Sequence, residues 1–453
     1  IDDDMVEGDE TVVATILPSA AYLVGAQGAA SVNLLDYEIT FALGAGQKIW
    51  DYGDSSCGSV VPGASPDLPD LQARALKTAS GELIITRGNS PGFYVLRGTT
   101  FNNIRTICAD GPTITAGNID DPNSAPEAFY HQQWIGGLYR ELTSGNPNRI
   151  YAIIHNEYHD PRNIPGTPCK VGDESPANQC NYVSITSAYS DDDGKTFAQN
   201  TQNAQHLIAA HHLSWDPFSN TVVAPPSNQP VYGFHQPSNI IRHTDGYYYV
   251  LFAAINSPIP SHTTRGACLI RTQNLGDPSS WRAWDGSGFT IHLGNPYLPN
   301  ANTQDCAFVS KGTIDQLTGS ITYNTYLGKY LLIGGSVLPK VANADPLNPN
   351  DWACGTYYSL SDDLIVWSRK KIIWESQGVN PPCLQVGQLP HGSIVYPSII
   401  DHSQVNDPTD VNFEKSDNQP HLYYVRWNSG PDRDLWRRPL TICETGKPAP
   451  GCP

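Results

Sequence analysis

Residues 151–159, Tyr-Ala-Ile-Ile-His-Asn-Glu-Tyr-His, begin as an apolar strand and become polar at its end. Side chains alternate between the two faces of a strand, so His155, Glu157 and His159 are predicted to project to one side. Ionisable groups at the end of a buried strand are costly unless something uses or satisfies them. The carboxylate suits proton transfer with the imidazoles orienting it, and the trio could instead hold a metal ion, although no further ligand is evident. We therefore predict a functional site here, without a metal.

Polar residues enter other apolar strands in a similar way. Residues 234–239, Phe-His-Gln-Pro-Ser-Asn, precede an apolar run and indicate the rim of a pocket, whereas Arg426 lies in mid-strand, where an unpaired charge is not tolerated. Arg74 could bind a substrate carboxylate or simply pair with Asp70. The candidates for substrate contact are His155, His159, Arg74, His235, Asn239, Tyr396 and Arg426. The tandem His211-His212 follows an apolar stretch and could equally lie in a loop.

Composition narrows the classes of fold and partner. With Gly 39, Pro 37 and only 16% charged residues, the chain favours many short strands joined by structured loops. Its formal net charge of −17 makes nucleic acid and anionic membrane surfaces poor partners. No apolar run approaches the roughly 20 residues that span a bilayer. We expect no partner of either kind.

Ten cysteines are scattered through polar, loop-like sequence. None forms the close C-x-x-C pairs of a zinc site, so the even number indicates disulfides in an exported, secreted or periplasmic protein. Cys169–Cys180 and Cys443–Cys452 are the predicted bridges, because each would close a short polar loop. The chain begins with Ile-Asp-Asp-Asp rather than Met, from which we expect that a signal peptide has been removed.

Runs of four to eight β-forming residues recur between turn clusters, and a helical period is hard to find. They form five groups, each a rhythm of hairpin-linked strands, which predicts an all-β fold: a five-bladed β-propeller with long disulfide-stapled loops. A large β-sandwich with appendages is the alternative. We expect residues 51–453 to form the propeller and residues 1–50 to be an N-terminal extension packed on it. The five groups span about 66–110, 126–200, 230–292, 304–375 and 391–441.

Two motifs support a family resemblance. Residues 190–197, Ser-Asp-Asp-Asp-Gly-Lys-Thr-Phe, look like the Asp-box turn of sialidase-type propellers, in which Asp192 would cap the hairpin backbone. Residues 361–367, Ser-Asp-Asp-Leu-Ile-Val-Trp, are similar to the edge motif of five-bladed glycoside hydrolases. From residue 66 to 441 the chain thus resembles the arabinanase and xylosidase group of β-propeller glycosidases (families 43, 62 and 117). Asp245, Asp285 and Asp363 are predicted to be turn residues.

The resemblance implies an axial pocket whose carboxylates cleave a glycosidic bond, one as a protonated acid and one as an ionised base or nucleophile. Glu157 is our candidate acid, because apolar neighbours raise the pKa of a carboxyl. Asp70 is the candidate base or nucleophile, with a turn residue as its alternative role, and Asp305 is a weaker candidate. The family's first catalytic Asp usually stands in an Asp-Pro dipeptide, whereas residues 69–75 here read Pro-Asp-Leu-Gln-Ala-Arg-Ala.

The predicted function is therefore an exported glycoside hydrolase acting on a poly- or oligosaccharide. One alternative is a carbohydrate-binding or structural propeller without catalysis, which the missing Asp-Pro favours. A second is a sialidase-like enzyme or lyase for acidic glycans, in which Arg74 and Arg426 would bind a carboxylate. We expect no required cofactor; a structural calcium ion is left open. The sequence predicts no particular oligomeric state.

Overall fold

A computed structural model describes most of the chain. The described residues are 10–17, 19, 21, 22, 24, 29–34, 38–52, 57, 67–88, 94–110, 113, 114, 125–143, 145–159, 181–215, 231–255, 265–301, 303–345, 348–378, 382–384, 391–430 and 432–452.

The all-β prediction is confirmed, since strands dominate and only short 3₁₀ helices accompany them. The N-terminal strands are β1 (Glu10–Thr15), β2 (Ala29–Leu34), β3 (Ile39–Leu43) and β4 (Gln47–Trp50). The first group contains β5 (Pro69–Lys77), β6 (Leu83–Gly88), β7 (Leu96–Gly98) and β8 (Arg105–Thr106). The second contains β9 (Gln132–Arg140), β10 (Ile150–His159), β11 (Asn181–Ser190) and β12 (Leu207–Ala209).

The third group contains β13 (Val231–His235), β14 (Ile241–Arg242), β15 (Tyr248–Ile255), β16 (Arg265–Thr272), β17 (Arg282–Trp284) and β18 (Phe289–Ile291). The fourth contains β19 (Ser320–Asn324), β20 (Lys329–Pro339), β21 (Trp352–Ser361) and β22 (Lys371–Glu375). The fifth contains β23 (Ser393–Ile400), β24 (Lys415–Ser416), β25 (His421–Ser429) and β26 (Asp432–Glu444). The 3₁₀ helices are Cys108–Asp110, Pro126–Ala128, Gln202–Ala204, Pro278–Ser280, Pro349–Asp351 and His402–Asn406.

Within each group, neighbouring strands pair mainly in the antiparallel sense. Strand β13 pairs in parallel with β11 and antiparallel with β15, which joins the second and third groups in one hydrogen-bonded sheet. Strands β3 and β4 both pair with β26, so the last sheet combines residues from the two ends of the described chain. Residues 39–50, which the sequence assigned to an extension, thus contribute strands to this sheet.

Buried apolar clusters show how the groups pack. One cluster joins the first group to the second through Ile84 and Ile135, and others join the second to the third, the third to the fourth and the fourth to the fifth. A further cluster joins the fifth group back to the first, where Ile85 packs with Tyr423 and Val425. The packing of the five groups is therefore cyclic.

Asp side chains fix the hairpins between strands. Asp192 accepts hydrogen bonds from the backbone N–H groups of Lys195 (3.1 Å) and Thr196 (3.0 Å), which confirms its predicted turn-capping role. Asp245, Asp285 and Asp363 likewise accept from backbone N–H groups two or three residues ahead, as predicted. These carboxylates are structural.

Arg74 holds the first strands of several groups together. Its side chain is buried and donates to the carbonyls of Gly136 (2.5 Å), Pro237 (3.1 Å) and Gly319 (2.8 Å). These acceptors belong to the second, third and fourth groups, so a residue of β5 bridges to three neighbours. Burial lowers the pKa of Arg74 to about 9, so the guanidinium still carries its charge at neutral pH.

Arg74→Met is expected to destabilise the fold by about 3 kcal/mol, because three buried carbonyls lose a charged donor and the relief of Arg74 desolvation offsets only part of that loss. Denaturant unfolding of the variant and the wild type would measure this difference in the free energy of unfolding. Arg426→Met is the control, since Arg426 is exposed on β25 and should change stability by less than about 0.5 kcal/mol. Equal stability of the two variants would contradict the bridging role.

The segment 401–417 crosses the end of the strands at which β5 and β9 finish. Val411 accepts from the Lys77 N–H, Asn412 from the Arg140 N–H, and Glu414 from the Arg242 N–H (2.5 Å). Strand β24 in the same segment pairs with β19. One stretch of the fifth group therefore contacts the other four groups.

Glu414 makes this contact sensitive to pH. Burial is the main cause that raises the pKa of Glu414 to about 7, against opposing hydrogen bonds from the Arg242 N–H and the Tyr139 hydroxyl. In the unfolded chain the carboxyl ionises near its ordinary value, so between about pH 4.5 and 7 the folded state holds the extra proton.

Stability should consequently decrease as the pH rises from about 4.5 to 7 and then level off, by at most about 3 kcal/mol for this group. Glu414→Gln removes the titration, and its unfolding free energy should lack that part of the pH dependence. Asp362→Asn, at an exposed carboxylate, is the control. The same pH slope in Glu414→Gln and the wild type would rule out this assignment.

Disulfides link Cys57–Cys108, Cys268–Cys306, Cys354–Cys383 and Cys443–Cys452 in the described part of the chain. The prediction for Cys443–Cys452 is confirmed, and the predicted Cys169–Cys180 bridge lies outside the described residues. Among the described helices, none has the length and apolar character needed to cross a membrane.

Candidate functional site

Asp70 is the centre of a polar cluster at the start of β5. Its carboxylate forms an ion pair with Arg433 of β26 and accepts hydrogen bonds from the Trp134 indole N–H (3.3 Å) and the Tyr396 hydroxyl (3.3 Å). The Arg433 guanidinium in turn lies 3.6 Å over the Trp427 ring. Strands from the first, second and fifth groups thus position a single carboxylate.

Tyr396 reaches Asp70 because β23 is irregular at this point. The register with β25 shifts between Val395 and Ser398, and Tyr396 has a φ of 53°, in the left-handed region that side-chain-bearing residues rarely occupy. The strand bends around Pro397, which removes a ladder donor. Such backbone strain is concentrated at functional sites, and here it directs a hydroxyl onto a carboxylate.

Glu157 lies near the end of β10, the second strand of its group, with His155 beside it on the same face. The Nε2 of His155 and the Oε1 of Glu157 are 2.8 Å apart, and the Gln236 N–H donates to the Nδ1 of His155 at 3.3 Å. Because Nδ1 accepts, the neutral ring carries its proton on Nε2 and donates it to Glu157. The buried imidazole therefore fixes the Oε1 of the Glu157 carboxyl.

His235 at the end of β13 adds a third element. Its ring centroid is 6.0 Å from that of His155, and its Nε2 is buried without a hydrogen-bond partner among the described residues. Burial, with His155 as a smaller cause, lowers the pKa of His235 to about 3, so the ring is neutral at physiological pH. A neutral imidazole of this kind suits a hydroxyl group better than an anion.

The two carboxylates influence each other electrostatically. Burial raises the pKa of Asp70, Arg433 opposes this, and the charge of Glu157 raises it further. Burial followed by the charge of Asp70 raises the pKa of the Tyr396 hydroxyl, with Glu157 contributing again, so Tyr396 is a hydrogen-bond donor at neutral pH. Trp134 also connects the two sides, since it donates to Asp70 and its ring lies 5.3 Å from that of His155.

The arrangement provides the parts for acid–base chemistry. Asp70 has an arginine and two neutral donors that stabilise its ionised form, whereas the Oε1 of Glu157 is held by the His155 imidazole. Two carboxyls in different environments can hold different protonation states at one pH, which is the requirement for a paired acid and base.

The structure thus brings Asp70, Glu157, His155, His235 and Tyr396 into one connected cluster. Their roles stay predictions. His159 belongs to β10, but its side chain lies outside the described residues.

Four other candidates have different surroundings. Arg74 donates to backbone carbonyls and Asn239 exchanges hydrogen bonds with the backbone of Ile321 (both 2.8 Å), so both connect strands. Arg426 is exposed and lies 5.6 Å over the Trp436 ring, so its mid-strand position does not bury the charge. The Oδ1 of Asp305 is hydrogen-bonded to the Nδ1 of His212 at 2.6 Å, in a cluster separate from Asp70.

Sequence reasoning missed Arg433, Trp134 and Trp427. Arg433 pairs with Trp427 across the β25–β26 hairpin, one strand away from the predicted Arg426. The available signal was the run Asp432-Arg433-Asp434 directly after the hairpin, where a cation between two acids begins a strand. Trp134 gave no comparable signal, because aromatic residues are common in strands.

Comparisons with known proteins give fold-level likeness only. No family profile and no curated protein matches the chain. Similar solved structures include a protein of unknown function from Dyadobacter fermentans (10% identity, 88% of this chain and 99% of that chain, TM-score 0.40). An α-L-arabinanase of Cellvibrio cellulosa has 9% identity, covers 82% of this chain and 91% of its own, and has a TM-score of 0.35. An exo-inulinase from Aspergillus awamori has 11% identity, covers 89% of this chain and 67% of its own, and has a TM-score of 0.40. No residue of the site is assigned from them.

Proposed function

We propose that this protein is a five-bladed β-propeller glycoside hydrolase, exported from the cytoplasm, that cleaves a poly- or oligosaccharide at the cluster around Asp70 and Glu157. The observation that carries the proposal is the convergence of two carboxyls from separate strand groups, with unlike hydrogen-bond partners, at one set of strand ends. The cyclic packing of the five groups supports the propeller, and the disulfides support export.

In the proposed reaction, Glu157 donates its proton to the leaving glycosidic oxygen while the bond to the anomeric carbon breaks. The Nε2–H of His155 holds the Oε1 of Glu157 and so fixes the orientation of the carboxyl. Asp70, ionised beside Arg433, either removes a proton from the attacking water or attacks the anomeric carbon itself. No cofactor takes part in this scheme.

Tyr396, Trp134 and His235 would surround the sugar. Tyr396 and Trp134 each donate to Asp70, which fixes its orientation. The unpartnered Nε2 of His235 would bind a sugar hydroxyl. These neutral donors and rings favour a neutral sugar over an acidic one.

Two other functions predict different results. A carbohydrate-binding propeller without catalysis would bind glycans and release no product. A sialidase-like enzyme or lyase for acidic glycans needs cations that bind the substrate carboxylate. Of the two arginines predicted for this role, Arg74 donates to backbone carbonyls and Arg426 lies exposed over the Trp436 ring.

The test is a screen for reducing-sugar release from plant, algal and bacterial polysaccharides, including arabinan and xylan. The wild type should release sugar from at least one of them, and the double variant Asp70→Asn/Glu157→Gln from none. Binding without release by the wild type would favour the non-catalytic alternative. Release by the double variant at the wild-type rate would place the chemistry elsewhere.

A further inference from the structure

Outside the proposed active site, His211, His212 and Asp305 form a compact cluster. Each offers one ligand atom, and the three atoms lie within 4.8 Å of one another. The two histidines follow β12, and Asp305 precedes Cys306, whose disulfide to Cys268 attaches it to β16. We propose that this cluster is a binding site for a divalent first-row transition ion, with zinc as the best fit.

The spacing of the atoms supports a shared ion. The Nε2 of His211 lies 3.6 Å from the Oδ1 of Asp305, too far for a hydrogen bond, and the Nδ1 of His212 lies 2.6 Å from the same oxygen. Nitrogen and oxygen ligands bound at about 2.0–2.2 Å to one ion are separated by roughly 3 Å, which is intermediate between these distances. Small shifts would therefore bring all three onto one ion.

The chemistry of the donors selects the class of ion. Two imidazoles and one carboxylate are typical ligands for zinc and its first-row neighbours, whereas calcium prefers a shell of oxygen atoms. The structural calcium left open in the sequence analysis is therefore a poor match to this cluster. The metal face predicted as an alternative at His155, Glu157 and His159 involves different residues.

Burial makes the cluster partly preorganised. The His211 side chain is fully buried, with its ring 6.2 Å from that of Phe234, while His212 and Asp305 retain 23% and 18% side-chain exposure. The buried ring is held in place, and the exposed side gives an ion and its remaining water ligands a path to solvent. Phe234 is next to His235 in β13, so a bound ion would brace the strand that carries a pocket residue.

Binding has a local cost at His211. The Leu213 N–H donates to the Nδ1 of His211 at 3.1 Å, so the neutral ring carries its proton on Nε2. An ion bound at Nε2 moves that proton to Nδ1, which can then no longer accept, so the Leu213 contact is lost. One hydrogen bond is a small loss compared with coordination by three protein ligands.

The experiment uses the full chain, treated with a chelator and dialysed, and titrates ZnCl2 by calorimetry. We expect one ion per chain with a Kd of about 10 μM or below, and at least a tenfold weaker Kd for His212→Gln and for Asp305→Asn. His243→Gln is the matched control, because His243 and Asp245 form another His–Asp pair (3.2 Å) outside the cluster.

A wild type that binds no zinc would overturn the proposal, and so would equal affinities of the wild type and both cluster variants, or an equal loss in His243→Gln. Circular dichroism checks that each variant is folded. Cobalt substitution gives a readout on the wild type alone: a visible spectrum of nitrogen-ligated Co²⁺ supports the site, and the spectrum of the aquo ion overturns it. Neither readout depends on glycosidase activity.

Discussion

Glu157→Gln should lower kcat by about 10²- to 10⁴-fold on whichever glycan the wild type cleaves, which is the usual contribution of a general acid. The amide keeps the size of the side chain but has no acidic proton for the leaving oxygen. Substrates with a good leaving group, such as nitrophenyl glycosides, should lose much less activity, because they depend less on protonation. Steady-state kinetics on both substrate types would measure this difference.

Glu375→Gln is the matched control for this prediction, since Glu375 is an exposed glutamate paired with Lys340 on the outer strand β22. Its kinetics should equal those of the wild type. If Glu157→Gln retains full activity on the natural glycan, Glu157 is not the acid. A loss that is equal for good and poor leaving groups would indicate a different role for this carboxyl.

Asp70→Asn should abolish the reaction to a similar or greater extent, because no ionised carboxylate then remains to attack or to activate water. The role of Arg433 can be separated from that of Asp70 by pH. Arg433 lowers the pKa of Asp70, so Arg433→Met should raise it. The acidic limb of the kcat/KM profile, where Asp70 must be ionised, should therefore move to higher pH.

The control for Arg433→Met is Arg426→Met. Both arginines lie over tryptophan rings in the same hairpin, but only Arg433 forms an ion pair with Asp70. The pH profile of Arg426→Met should match the wild type. An acidic limb that does not move in Arg433→Met would show that this ion pair does not set the protonation of Asp70.

The local signals of the sequence were sufficient for the all-β class, because turn residues such as Asp192 and Asp363 act within a few residues of the chain. The same reasoning located Glu157 and His155, since strand alternation puts them on one face. Tyr396 was also accessible, because a proline directly after it in a strand indicates an irregularity.

The remaining parts of the site depend on contacts between distant residues. Asp70 and Arg433 are 363 positions apart, so the charged run around Arg433 does not show which residue it pairs with. Arg74 was expected at the substrate, but a buried guanidinium can equally be satisfied by carbonyls, and only the tertiary arrangement shows which occurs. Asp305 was predicted to act with Asp70 only because both are carboxylates, whereas in the fold it lies beside His212.

The pairing of β3 and β4 with β26 has a consequence for biosynthesis. On the ribosome, residues 39–50 emerge long before residues 432–444, so their edge partner does not yet exist. The fifth sheet can be completed only after residues 432–444 have been translated, and until then the early strands present unpaired backbone groups that favour aggregation. A nascent chain of this architecture therefore needs protection until residues 432–444 arrive.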